Sequence, residues 1–195
     1  MIRMRTAIAT AAAIAVLPFT AACGGQDEVT TKPNPPAASK ADKADAKPSK
    51  AAPAKPKAAK IGDTITIKGS EDGEQLDVTI KKWIDPAKGA DEFFVPADGQ
   101  RWVAAQFELV NTGTAVYADS PSNGAQVADS EGQRFGTTFA DITAGPSMTS
   151  DAQVPPGEKA LGYVVFEVPD GSKITSVQFA MNSGFADQTA QWSVS

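Results

Sequence analysis

The 195-residue chain contains no histidine and one cysteine, and both shortages limit its chemistry. Without histidine, Ser-His-Asp and Cys-His nucleophilic systems, most catalytic zinc sites and the usual general base are excluded. A copper site of histidine and methionine is excluded too, and Met148 and Met181 are expected to pack in the core. The single cysteine, Cys23, cannot form an internal disulfide. We therefore expect a protein that is not an enzyme and needs no metal or cofactor.

Residues 1–22 have the pattern of a bacterial lipoprotein signal peptide. Two arginines provide the positive n-region, and residues 8–19 form an apolar h-region that is too short to span a bilayer. Small residues precede Cys23, as a lipobox requires, although Thr20 occupies a position where that motif usually has leucine. The pattern predicts that Cys23 becomes the first mature residue and carries the lipid. Ordinary secretory cleavage, which would leave a free thiol, is the alternative.

Residues 23–60 are predicted to be a lipid-anchored linker rich in alanine, proline and lysine. The segment has almost no large apolar residues, so it cannot bury enough surface to offset the entropy of ordering, and disorder is expected. It carries eight lysines and four acidic residues, whereas residues 61–195 carry eight basic and nineteen acidic residues. The strongly acidic second part argues against binding to nucleic acid.

Residues 61–195 alternate apolar and polar residues in short runs, which glycine, proline, aspartate and asparagine separate. Seven or eight such strands, each burying one face, suit an all-β sandwich. Between residues 125–128 and 133–139, the DSEG sequence predicts a hairpin turn. The residues predicted to face inward are Ile61, Ile65 and Ile67; Leu76, Val78, Ile80 and Ile84; Val103, Ala105, Phe107 and Leu109; Val164, Phe166 and Val168; Val177, Phe179 and Met181; and Trp192 and Val194.

Three motifs in this pattern resemble one protein family. GQRWVAAQFELVNTG is a strand that ends in an Asn-Thr-Gly turn, and ADSEGQRF is a strand that enters an Asp-x-x-Gly hairpin. PPGEKALGYVVFEVP is a Pro-Gly-Glu turn followed by a Gly-aromatic strand. Together they resemble the DUF4352 family, also called telokin-like or Mpr, over most of residues 61–195. The resemblance implies an immunoglobulin-like antiparallel β-sandwich, secreted or lipid-anchored in Gram-positive bacteria, actinobacteria included. It also implies a non-enzymatic extracellular domain of unknown ligand, with no catalytic residue to transfer.

Carboxylates are the only plentiful reactive groups. Three pairs on predicted loops could converge: Asp91 with Glu92, Asp129 with Glu131, and Asp119 with Asp141. Calcium prefers oxygen ligands of this kind, and a glycosidase needs two carboxylates that face each other across a cleft. The simpler interpretation is that these are solvated turn residues, because aspartate favours positions where its side chain bonds the nearby backbone. A calcium sensor or carrier, and a small carboxylate-dependent envelope hydrolase, remain alternative functions.

Four aromatic residues in or next to residues 85–99 form the candidate binding site. Phe93 and Phe94 lie together in this segment, which is rich in glycine, proline and aspartate. By strict alternation, Trp83 and Trp102 are out of phase with the core residues of their strands. Aromatic residues on an outer sheet face are typical of a partner-binding patch. The alternative is that the loop folds back and covers them as a second small core.

The sequence as a whole predicts a membrane-anchored extracellular lipoprotein. Its domain would act as a non-enzymatic interaction or ligand-binding module at the cell surface. The expected partners are the membrane, through the lipid on Cys23, and an unidentified envelope or extracellular protein or ligand. The domain is expected to be monomeric.

Overall fold

The computed structural model of the chain describes residues 59–93 and 95–194. The predicted signal peptide, Cys23 and all but the last two residues of the predicted linker lie outside the described residues. The strands are β1 (Ala59–Lys60), β2 (Thr64–Lys68), β3 (Gln75–Ala87), β4 (Gln100–Asn111), β5 (Tyr117–Asp119), β6 (Ala125–Asp129), β7 (Arg134–Phe135), β8 (Thr137–Thr138), β9 (Ala152–Val154), β10 (Lys159–Pro169), β11 (Ile174–Ala180) and β12 (Thr189–Ser193). Two short turns of 3-10 type cover Pro121–Gly124 and Asn182–Gly184. No helix in this part of the chain is long and apolar enough to cross a membrane.

The strands form two five-stranded sheets and one separate pair. One sheet has the order β1-β12-β11-β6-β7 and the other β2-β3-β4-β10-β8, while β5 pairs with β9. Neighbouring strands are antiparallel, except that β1 runs parallel to β12. The chain crosses between the sheets from β1 to β2 on one side and from β7 to β8, through Gly136, on the other. Such short crossing strands limit the exposed sheet edge that could pair with another chain. The predicted immunoglobulin-like antiparallel β-sandwich is confirmed.

The first sheet begins two residues earlier than composition indicates. Ala59 pairs with Trp192 and Lys60 with Ser193, although both Ala59 and Lys60 fall within the predicted linker 23–60. Parallel pairing uses backbone groups and needs no large side chain. An alanine- and lysine-rich sequence therefore gives no sign of it.

The core between the sheets contains the residues that alternation predicts. Phe107 on β4 and Phe179 on β11 join the two sheets, with ring centroids 5.7 Å apart and planes tilted by 51°. Met148 and Met181 are buried in this core, as predicted. The largest fully buried side chains are Trp192, Phe107, Phe166, Phe179, Leu76, Ile80, Leu109, Met181, Val78, Val103, Val127 and Val168. Ile61, Ile65 and Val194 are half-buried at its margin.

A β-bulge in β3 reverses the alternation part-way along the strand. The register with β4 shifts between Ile80 and Lys82, which makes Lys81 an extra residue. Beyond the bulge, Trp83 packs against the main core and Ile84 packs on the opposite face. The predictions that Ile84 shares the face of Ile80, and that Trp83 is out of phase with the core, are therefore wrong. Strict alternation cannot anticipate an inserted residue.

Candidate functional site

The outer face of the β2-β3-β4-β10-β8 sheet carries a second apolar cluster. Residues 139–148 lie across this face and contribute Ala140 and Ile142 to the cluster. A second small core therefore exists. Residues 139–148 provide much of its cover, whereas the sequence predicted that residues 85–99 would provide it. Its members are Ala87, Trp102, Ala104, Ala140, Ile142, Tyr163 and Val165, with Ile84 packed against them.

Trp102 is part of this cluster and not of an exposed patch. Its side chain is 4% exposed, and its Nε1 donates a hydrogen bond of 2.9 Å to Oε2 of Glu167. The same oxygen accepts a bond of 3.2 Å from the backbone N–H of Ala97. Trp83 lies on the other face of the sheet, half-buried against the main core. The two tryptophans that the sequence places on one surface are thus on opposite faces.

The segment 85–99 is part strand and part loop. β3 continues to Ala87, and the residues that follow pair with residues 141–143. Ala90 N donates to the Asp141 carbonyl at 2.8 Å, and Thr143 N donates to the Lys88 carbonyl at 3.0 Å. The Phe93 side chain is 84% exposed, whereas Phe94 lies outside the described residues.

Arg101 holds the base of this loop against the turn between β10 and β11. Its Nε donates to Asp85 Oδ1 at 2.7 Å, and its Nη2 donates to Asp85 Oδ2 at 3.0 Å. The guanidinium also donates to the carbonyls of Pro169, Asp170 and Ser172 at 2.7, 3.1 and 2.8 Å. The hydrogen bond to Asp85 is the main cause that raises the pKa of Arg101 above its ordinary value. Arg101 therefore serves the fold and offers no free charge to a ligand.

A groove of about 430 Å³ opens at the edge of β10, where two different segments of the chain bond to this strand. Thr138 on β8 pairs with Val165, while Tyr163 bonds Pro146 and Met148 through its backbone. The groove has an apolar floor and a rim of hydroxyl groups with one carboxylate. Phe139 lies at its mouth with 89% of the side chain exposed. The lining residues are Ser122, Thr138, Phe139, Ala140, Asp141, Ser147, Met148, Ser150, Tyr163, Val164 and Val165.

Three aspartates of the predicted carboxylate pairs accept hydrogen bonds from backbone or hydroxyl groups. Oδ1 of Asp129 accepts bonds from the backbone N–H groups of Glu131 and Gln133, which shape the predicted hairpin turn. Asp141 accepts from Ser147 Oγ at 2.8 Å, whereas Asp119 bonds Ser183. Across residues 59–93 and 95–194, no three Asp, Glu, Cys or His side chains are arranged to hold a metal ion. These aspartates shape turns and loops, as the simpler interpretation predicts.

The connection from β11 to β12 has an unusual backbone that sequence reasoning missed. Asn182 and Ser183 have φ of 52° and 54°, a left-handed conformation that is uncommon for residues other than glycine. The Asn182 side chain accepts a bond from Ser70 N and donates one to Glu74, each of 2.9 Å. Phe185, at the tip of the connection, is 86% exposed.

Comparison with known families assigns the chain to one of them. The model of the family described as a domain of unknown function, DUF4352, matches residues 59–190. The chain belongs to the DUF4352 family. No curated protein matches it.

Three solved structures resemble this DUF4352 protein at low sequence identity. The yjhA protein from Bacillus subtilis is 13% identical, with a TM-score of 0.50 over 70% of this chain and 99% of that one. MPT63, a secreted protein from Mycobacterium tuberculosis, is 20% identical, with a TM-score of 0.49 over 72% and 98% of the two chains. An uncharacterised β-sandwich protein from Clostridium difficile 630 is 10% identical, with a TM-score of 0.42 over 76% and 100%.

Sequence reasoning did not single out Phe139, the most exposed aromatic residue among those that the structure of this DUF4352 domain describes. Alternation places it in the second strand of a hairpin over residues 133–139. In the structure, β7 ends at Phe135 and the chain changes sheets at Gly136. A glycine inside a strand pattern often marks such a bend, and Gly136 is the sequence signal for it.

Proposed function

We propose that this DUF4352 domain is a non-enzymatic binding module, held at the outer surface of the cell membrane by a lipid on Cys23. The observation that most supports a binding role is the exposure of Phe139 beside the groove of about 430 Å³. Leaving a phenylalanine side chain in water forgoes about 1.5–3 kcal/mol that burial would supply. A partner that covers the ring and fills the groove would gain that energy.

The chemistry of the groove supports binding over catalysis. Its floor includes Met148, Tyr163 and Val165, while Thr138 and Ser147 contribute rim hydroxyl groups. A few polar groups around an apolar floor are typical of binding pockets. Asp141 is the single carboxylate among the lining residues, and glycoside hydrolysis uses two. The chain also lacks histidine, the commonest general base.

The support for a membrane anchor comes from the amino-acid sequence. The positive n-region, the short apolar h-region and the small residues before Cys23 together support export and lipid attachment at this cysteine. Lipid modification of an exported bacterial lipoprotein supplies more than one acyl chain, and two or more chains give stable anchoring. The binding domain would then be displayed outside the membrane.

Site-specific cross-linking on intact cells tests the proposed function. A photoreactive phenylalanine analogue replaces Phe139 in the full-length protein, and a matched protein carries the analogue at Ser130, an exposed turn residue away from the groove. We expect a discrete cross-linked species from position 139, with its yield reduced by an excess of the unlabelled domain. The same species from position 130, or no species from position 139, would show that Phe139 does not contact a partner.

A further inference from the structure

The β1-β12-β11-β6-β7 sheet carries a groove of its own, of about 340 Å³, at the end where β6 and β12 begin. Ligand pockets usually have volumes of about 300–1,000 Å³, so this groove suits a small ligand or the end of a chain. Arg134 on β7 is the single charged side chain among its described lining residues. The polar side chains around it are those of Asn123, Gln126, Ser183 and Thr189. We call this space the Arg134 groove.

Two glutamine side chains hold the guanidinium of Arg134 in place. Arg134 pairs with Ala128 on β6, and its Nη1 donates a hydrogen bond to Oε1 of Gln178 on β11, the strand beyond β6. The arginine side chain therefore crosses β6, where the small side chain of Ala128 leaves it room. Gln178 is buried, and its Nε2 donates a bond of 2.6 Å to Oε1 of Gln191. A guanidinium held in this way loses less side-chain entropy when it binds a ligand.

The positive charge of Arg134 is not neutralised by any carboxylate of the described residues. Residues 61–195 hold nineteen acidic residues, yet none of the described salt bridges includes Arg134. Its partner Gln178 is neutral and leaves the charge in place. In contrast, Nε and Nη2 of Arg101 bind the two oxygens of Asp85 at 2.7 and 3.0 Å. The same Nε–Nη2 side of Arg134 has no hydrogen-bond partner in the described structure.

This arrangement matches a carboxylate. The two N–H groups on one side of a guanidinium can bond both carboxylate oxygens, as Arg101 does with Asp85. Arg134 is exposed, so a ligand can reach it. The side chains of Gln126 and Thr189 make no hydrogen bond to another described residue, and they offer an amide and a hydroxyl group beside the guanidinium.

The surroundings of the Arg134 groove limit the charge of its ligand. The Asp119 carboxylate lies next to the groove, because Ser183 lines the groove and its Oγ donates to Asp119 at 2.6 Å. The domain as a whole also carries an excess of acidic residues. Both repel a ligand with two negative charges, such as a phosphate, more strongly than a ligand with one.

We infer that the Arg134 groove binds the carboxylate of a small, singly charged ligand. Nε and Nη2 of Arg134 donate to the two carboxylate oxygens, and the Gln126 side chain bonds an amide next to them. The C-terminus of a short peptide and a free N-acylated amino acid both have this chemistry. The site lies on a different sheet from the Phe139 groove, so it is additional to the proposed function and does not depend on it.

NMR titration of the full-length mature protein in detergent micelles tests the site. The probes are N-acetyl-alanyl-alanine, N-acetylalanine and N-acetyl-alanyl-alanine amide, which has no carboxylate. We expect both acids to shift the side-chain Nε–H signal of Arg134, and the amide to bind at least about tenfold more weakly than the matching acid. Tighter binding of the dipeptide than of N-acetylalanine would support the site and identify a peptide C-terminus. Equal binding of the two acids would support the site and identify a free acid.

Substitutions at Arg134 separate the guanidinium geometry from the charge. Arg134→Gln removes both and should weaken binding of N-acetyl-alanyl-alanine about tenfold or more. Arg134→Lys keeps the charge without the planar pair of donors, so we expect a loss of about threefold or more. Lys88→Gln changes the net charge as Arg134→Gln does, at an exposed position elsewhere, and should alter affinity less than about twofold. Phe139→Ser should leave it unchanged.

Four results would each overturn the inference: no shift at Arg134 with any probe, equal binding of the acid and its amide, equal weakening by Arg134→Gln and Lys88→Gln, or tighter binding of inorganic phosphate than of the acids. A species cross-linked to position 139 on cells would leave the proposed function standing in all four cases. Absence of that species would leave carboxylate binding at Arg134 standing, so the two failures are distinguishable.

Discussion

Ser183 donates two hydrogen bonds to the Asp119 carboxylate, from its backbone N–H and from its Oγ, each 2.6 Å long. The two residues come from different parts of the chain, at the end of β5 and just after β11. Ser183 has φ of 54°, so these bonds stabilise a backbone conformation that its side chain disfavours. The bonds fix the position of Phe185, two residues further along.

Two substitutions at Ser183 separate the contribution of the Oγ bond from the cost of the backbone conformation. Ser183→Ala removes the bond to a charged acceptor at a part-buried position and keeps the strain, so we expect a loss of roughly 1–2 kcal/mol. Ser183→Gly removes the same bond but tolerates positive φ, so its loss should be about 1 kcal/mol smaller. Urea denaturation measures both values. An equal loss for the two variants would show that the left-handed conformation stores no strain.

Tyr117 carries a buried hydroxyl group without a hydrogen-bond partner in the described structure. The residue is 3% exposed, and burial, followed by the nearby Asp119 and Glu74 carboxylates, raises the pKa of its phenol far above the ordinary value. An unsatisfied buried hydroxyl is unfavourable, so Tyr117→Phe should increase the free energy of unfolding by about 1 kcal/mol. A clear decrease in thermal or urea stability would reveal a bond that the structure does not contain.

The same residue predicts a pH dependence above neutrality. The phenol ionises in the unfolded chain at a pH of about 10, whereas the folded protein keeps it neutral to higher pH. Ionisation of this phenol therefore has no effect on the free energy of unfolding below about pH 10, and it lowers that free energy as the pH rises above this value. Urea denaturation between pH 8 and pH 11 should show a fall in stability that is smaller in Tyr117→Phe. Identical pH profiles for the two proteins would contradict the assigned burial.

The strand phase of β10 gives a test of the core. Phe166 is fully buried between the sheets, and Leu161, on the opposite face of the same strand, is half-exposed. Phe166→Ala should cost about 3–5 kcal/mol, whereas Leu161→Ala should cost less than about 1 kcal/mol. Chemical denaturation compares the two. Losses of similar size would mean that the faces of β10 are assigned incorrectly.

Lipid attachment at Cys23 has a direct chemical test. Cells grown with labelled palmitate should incorporate the label into the wild-type protein and not into Cys23→Ala. The variant should leave the membrane fraction. Release of unmodified wild-type protein into the medium would contradict the anchor and support ordinary secretory cleavage.

The sequence was sufficient for the fold and for most core positions, because alternation with period two persists wherever a strand is regular. Phe107, Phe166 and Trp192 are buried as that period predicts. It fails where one residue is inserted, as at Lys81, because the strand beyond the bulge turns over.

The candidate site was harder to predict, because it depends on contacts between distant segments. Trp102 is buried through its bond to Glu167 and through the cover that residues 139–148 provide. Nothing local in the sequence around Trp102 indicates either contact. The exposure of Phe139 and Phe185 likewise depends on where the chain changes sheets and on how the β11–β12 connection is held.

We propose that Phe139 binds a partner and does not stabilise the fold. The most direct measurement pairs the melting temperature of Phe139→Ser with its cross-linking on cells, using a photoreactive residue at Ser122 in the same groove. We expect a melting temperature within about 2 °C of the wild type, since surface substitutions change stability little. We also expect loss of most of the cross-linked species. An unchanged cross-linking yield, or a fall in the melting temperature of about 5 °C or more, would contradict it.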